Sequence, residues 1–105
     1  MTARRSLPNR RNAEIVQFEH GGIVYRAGIG RFSDGSLAEV FLDGGKVGSA
    51  VEAHARDAAI LLSLSLQHGC PLDVIRHALV KLSNGRGAGP IAHLLDRLEA
   101  ASGGR

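Results

Sequence analysis

The sequence predicts an α+β fold: a three-stranded antiparallel meander packed on a long central helix, followed by two shorter helices. Three observations carry this. From Glu14 to Asp43 apolar and polar residues alternate, with turn residues at His20-Gly21-Gly22 and Ser33-Asp34-Gly35-Ser36. From Ala50 to His68 there is no Gly or Pro, and apolar residues recur at helical spacing. Beyond Gly69, two shorter apolar stripes each begin at a proline, Pro71 and Pro90.

The elements follow in order. Val16 and Phe18 share one face of the first strand, with Gln17 and Glu19 on the other. The second strand alternates Ile23, Tyr25, Ala27 and Ile29, and Gly28 and Gly30 within it suggest a bulge or a close backbone approach. The third strand places Ala38, Val40 and Leu42 toward the core. By the same alternation Leu37 and Phe41 point to the open side of the sheet, beside Glu39. Leu37 and Phe41 are therefore the expected interface of a homodimer or docked partner.

Ser49 stands as helix N-cap with Glu52 three residues on, a capping box. Val51, Ala55, Ala58, Leu62 and Leu66 form the helix's core stripe. Ile60, Leu61 and Leu64 widen it, so its C-terminal half is expected to be buried nearly all round. Glu52 and Arg56 are spaced for an ion pair. Ser63 and Ser65 are expected to bond back to the carbonyl four residues earlier. Gly69 ends the helix. Leu72, Ile75, Leu79 and Leu82 give the next helix its buried stripe, Ser83 to Gly89 reads as a mobile connector, and Ile91, Leu94, Leu95 and Leu98 line the last helix.

Charge divides the 105-residue chain. The formal net charge is +3, yet Arg4, Arg5, Arg10 and Arg11 give residues 1–13 a charge of +4, leaving −1 for the rest. The expected organisation is a flexible basic arm over residues 1–13, a single domain over 14–102 and a frayed tail over 103–105. Through Arg4, Arg5, Arg10 and Arg11 the arm makes nucleic-acid binding one reading of the chain. The body offers neither an aromatic stacking surface nor a basic recognition helix in support. One cysteine, Cys70, excludes an internal disulfide and fits a reducing, cytoplasmic setting. No run of about 18 apolar residues suggests a membrane span.

Candidate chemistry is sparse. Gly44, Gly45, Lys46, Gly48 and Ser49 precede a helix, where free amides, the helix dipole and an ammonium suit a phosphate. This is not a Walker A loop, because Val47 follows Lys46 and Val40 stands where the first glycine belongs. His54 with Asp57, and Asp73 with His77, are helical pairs without a third ligand, so no metal site is expected. Cys70 reads as small buried filler, and no nucleophile, base and oxyanion site assemble.

Within Gly22–Leu79, Ala38-Glu39-Val40-Phe41-Leu42, Gly45-Lys46-Val47-Gly48-Ser49, the apolar run Ala58 to Leu66 and Gly69-Cys70-Pro71-Leu72-Asp73-Val74-Ile75 follow in that order. In that order and spacing they resemble the TSCPD domain of adenosylcobalamin-dependent ribonucleotide reductases. Ala38-Glu39-Val40-Phe41-Leu42 followed by Gly45-Lys46-Val47-Gly48-Ser49 is similar to that family's "EVF…GK.G" segment. Ala58 to Leu66 is similar to its "LISLAL" helix, and Gly69-Cys70-Pro71-Leu72-Asp73-Val74-Ile75 to its "GVP.E.I" turn. The Thr-Ser-Cys-Pro-Asp string is absent, so no cysteine role is carried over. The resemblance implies a stand-alone accessory or regulatory module linked to deoxyribonucleotide synthesis, binding a reductase component or a nucleotide phosphate. Adenosylcobalamin would belong to the full-length reductases and not to this chain.

Overall fold

The computed structural model describes residues 3–7 and 14–101. Strands β1 (Glu14–His20), β2 (Ile23–Arg31) and β3 (Leu37–Gly44) form an antiparallel sheet in the order β1-β2-β3. Helices α1 (Ala50–Gln67), α2 (Leu72–Ala78) and α3 (Pro90–Ala101) follow. This is the predicted α+β meander with its long central helix.

α1 packs chiefly over β3, and α3 lies against α1 and β1. The core between them holds Phe18, Tyr25, Ala27, Ile29, Val40 and Leu42 from the sheet. Ala55, Ala59, Leu62 and Leu66 from α1, with Ile91, Leu94 and Leu95 from α3, complete it. Alternation in the strands and the 3.6-residue period in the helices put these residues on one side each. Phe18 and Tyr25 stack at 5.6 Å between centroids.

The ends of α1 are closed as the sequence anticipates. Ser49 Oγ accepts from the Glu52 N–H at 3.2 Å, and Glu52 reaches back to the Gly48 N–H at 2.9 Å. At the other end the Gly69 N–H donates to Leu66 O and the Cys70 N–H to Ser65 O. That pattern needs positive φ at Gly69, which has φ +92°. Glu52 and Arg56 pair across one turn at 3.8 Å.

Several expectations are corrected. Leu37 does not face the open side: it is buried in the core. The register shifts between Gly30 and Arg31, so Gly30 pairs Glu39 but Arg31 pairs Leu37. Ala38 is the extra residue, and a bulge of this kind returns its neighbour to the same face. α1 is not buried all round, because a three-stranded sheet covers only one side of it. Ile60, Leu61 and Leu64 remain 53%, 66% and 39% exposed.

The segment 83–89 is internally bonded. Leu82 N–H donates to Arg86 O, Ala88 N–H donates to Val80 O, and Lys81 and Gly87 form a bridge. Leu82 is half exposed and leaves the predicted α2 stripe. α2 stops at Ala78, and Lys81 Nζ folds back onto the carbonyls of Arg76, His77 and Leu79. A cation on the last carbonyls is a favoured helix ending.

Candidate functional site: a groove between the open sheet face and the central helix

On the face of the sheet away from the core, Ile15, Gly28 and Phe41 stand opposite one another in one row across β1, β2 and β3. Gly28 has no side chain, so the Phe41 ring lies over it, about 3.5 Å from where a Cβ would sit. Ile15 and Phe41 are 62% and 66% exposed. The next row is polar, with Gln17, Arg26 and Asp43.

Beside Phe41 the surface continues across β3 onto the uncovered side of α1. Ile15, Phe41, Ile60 and Leu64, with Arg26 and Arg56 among the flanking residues, line a groove of about 750 Å³. Phe41 is thus where the sequence placed it. Ile60 and Leu64 belong to this surface too, although helical spacing alone read them as core.

β3 is one of the two outer strands, and side chains of α1 engage part of its free edge. Ser63 Oγ accepts from the Val40 N–H at 2.9 Å and lies 3.1 Å from the Val40 carbonyl, to which it donates in turn. Ser63 therefore does not make the expected back-bond, whereas Ser65 does, to Leu61 O at 2.7 Å. Gln67, 2% exposed, donates from Nε2 to Ala38 O at 3.1 Å. Its Oε1 accepts from Arg4 Nε at 2.6 Å.

Residues 3–7 therefore lie on the body. The Arg5 N–H donates to Gln67 O. The Arg5 guanidinium stands 3.8 Å over the Phe32 ring and 3.1 Å from Asp34. The Ser36 hydroxyl and N–H, then Arg5, hold the Asp34 carboxyl well below the usual carboxylate range. Arg4 and Arg5, read from the sequence as nucleic-acid contacts, are engaged by Gln67, Phe32 and Asp34. Arg10 and Arg11 lie outside the described residues.

At the glycine segment, Gly45 and Gly48 both have φ +79° and the chain turns tightly into α1. The Gly48 amide is held by the Glu52 carboxylate and the Ser49 amide by Lys46 O at 3.0 Å. Of the groups expected to face a phosphate, Gly44, Gly45, Lys46, Gly48 and Ser49, the Gly48 and Ser49 amides thus already have acceptors within the chain.

A second cavity, about 780 Å³, lies between the β2–β3 turn and the helices, with Phe32, Leu37, Leu66, Leu95 and Leu98 in its walls. Cys70 borders it and is half-buried, not core filler. Its arginines are occupied: Arg31 pairs with Glu14, and Arg76 with Asp96 and Glu99. Asp96 also accepts the Gly87 N–H, which holds its carboxyl below the ordinary value, with Arg76 adding to the effect. Among the described residues no three His, Cys, Asp or Glu side chains converge as a metal site, and no helix is long and apolar enough to cross a membrane.

The TSCPD domain family matches residues 4–102, a span that includes Arg4 and Arg5. The chain is 40% identical over 70 residues to the vitamin B12-dependent ribonucleotide reductase of Agrobacterium fabrum, covering 67% of this chain and 6% of that one. It is 37% identical over 73 residues to the enzyme of the same name from Bradyrhizobium diazoefficiens, covering 70% and 6%. The chain thus spans about 6% of the length of these relatives. No solved structure matches it. With the predicted meander, glycine turn and long helix all in place, the family match over nearly the whole chain is decisive: this protein belongs to the TSCPD domain family.

Proposed function

We propose that this chain is an accessory docking module of ribonucleotide reduction, acting in the cytoplasm on a reductase component and carrying no active site of its own. The observation that carries the reading is the apolar surface Ile15–Phe41–Ile60–Leu64, left open on a chain of this family. In the relatives the matching stretch is continuous with a reductase chain. A partner that covers this surface removes apolar area from water, the dominant favourable term in most protein association. Arg26, Arg56 and Asp43 on its margin supply both signs of charge for orientation.

Docking is better supported than nucleotide-phosphate binding at residues 44–49, because Glu52 already holds the Gly48 amide. The test is recovery of a vitamin B12-dependent ribonucleotide reductase on the tagged chain from native cells, compared with Phe41→Glu and Ile60→Glu. Both positions are more than half exposed, so the variants should fold. Loss of the reductase with both variants supports the reading. No reductase recovered by the wild-type chain, or equal recovery by all three, sinks it. Light scattering on the same samples asks whether a second copy covers the face instead.

A further inference from the structure

His20 ends β1 and His93 sits in the first turns of α3, yet their Nδ1 atoms are 2.8 Å apart. His20 Nε2 lies 2.9 Å from the Ala88 carbonyl oxygen, an acceptor that fixes a proton on that nitrogen. Neutral His20 therefore presents a bare Nδ1, and His93 must carry its own proton on Nδ1 and donate it. The chain of donors runs from His93 through His20 to the Ala88 carbonyl. The two rings meet edge to face at 4.9 Å, and His93 also rests against Phe18 at 5.0 Å.

This arrangement sets a limit on charge. One added proton is accommodated, because a single N–H still lies between the two Nδ1 atoms. A second puts an N–H on each Nδ1, and two cationic rings then face each other at hydrogen-bond distance. Nearby charges do not absorb it. Arg86 from the connector and Arg97 from α3 oppose a proton on His93, and only Asp96 favours one. Asp96 is itself tied to Gly87 and Arg76.

We propose that His20 and His93 form a one-proton latch, in which a second proton frees the N-terminal turn of α3 and the connector before it from β1 while α1 stays packed on the sheet. Burial first, then His20, Arg97 and Arg86, hold His93 below its ordinary value of 6.5. Its contribution to stability is therefore complete above that value and lost as pH falls through the lower folded one. Because α3 supplies Leu95 and Leu98 to the 780 Å³ cavity, release loosens one wall of it.

Amide hydrogen exchange on the full chain at about pH 7.5 and 5, corrected for intrinsic rates, tests the latch. The amides of Leu94 and Leu95 should lose about tenfold or more protection at the lower pH relative to Leu62 and Leu66 of α1. His93→Asn keeps a donor toward His20 without titrating, and should abolish that loss. His20→Gln, which leaves His93 alone, should abolish it as well and decides the matter if His93→Asn frees α3 at both pH values. Unchanged α3 protection in the wild type, or the same loss in His20→Gln, overturns the proposal.

Discussion

Replacing Gln67 with Leu tests how the edge of the sheet is held. Gln67 is 2% exposed, and its amide joins Ala38 O of β3 to Arg4 of the N-terminal segment. Leucine keeps most of the volume, so the cavity term is small. What remains is polar. The buried Ala38 carbonyl loses its donor at a cost of about 1–3 kcal/mol, while part-buried Arg4 regains water and costs less. The expected loss is about 2 kcal/mol, or roughly 10 °C in melting temperature for a domain of this size. Urea unfolding followed by circular dichroism measures it, with Arg4→Ala as comparison. Arg4→Ala should cost under about 1 kcal/mol, since its bond reaches the more exposed side of Gln67. A Gln67→Leu chain within 0.5 kcal/mol (roughly) of the wild type would refute the claim that this amide secures the β3 edge.

Further outcomes follow from other contacts. A Cβ on Gly87 would meet the Ala92 side chain and, at 2.6 Å, its carbonyl carbon. Gly87→Ala should therefore destabilise the domain by about 1–3 kcal/mol, read as a fall in melting temperature. Ser49→Ala removes the cap on α1 and should cost about 1 kcal/mol by denaturant titration. Inorganic phosphate should move the Gly48 and Ser49 amide resonances in Glu52→Ala but not in the wild type, because only the variant clears the carboxylate from that turn. Asp96 has a carboxyl value below the ordinary 3.8, so its contribution is present above that pH and lost as pH falls through the lower folded value. Asp96→Asn should flatten the acid limb of a stability–pH curve in that window.

Much of this fold is legible in the sequence, and the reasons for the remainder are specific. Strand alternation places Phe18, Tyr25, Ala27, Ile29, Val40 and Leu42 inward, and the Ser49–Glu52 and Gly69 signals bound α1 correctly, because these are local patterns. Alternation puts Leu37 on the wrong face because it assumes an unbroken register, and the bulge near Ala38 is a property of the strand pair. Ile60, Leu61 and Leu64 read as core from the sequence because helical spacing reports which residues share a face but not how wide a partner covers it. The Gln67–Ala38 bond spans 29 residues and the His20–His93 contact 73. No periodicity in one chain signals either of them.

The capped edge of β3 also limits which surface a partner can use on that side of the sheet. Strand addition needs outward N–H and C=O groups on alternate residues of an edge. In this sheet they belong to Ala38, Val40 and Leu42, and Ser63 engages both groups of Val40 while Gln67 engages Ala38 O. On this side of the sheet a partner is therefore directed to the side chains of the groove and not to the backbone of β3. Ser63→Ala separates the two routes. It uncovers the Val40 groups without touching Phe41, Ile60 or Leu64, and an edge so exposed is a template for another strand. Self-association of Ser63→Ala should rise with concentration in sedimentation velocity, with added β signal in circular dichroism. Docking of a partner on the groove should respond to Phe41→Glu and Ile60→Glu but not to Ser63→Ala. A Ser63→Ala chain as dispersed as the wild type would mean that the helix itself, and not the hydroxyl, shields the strand.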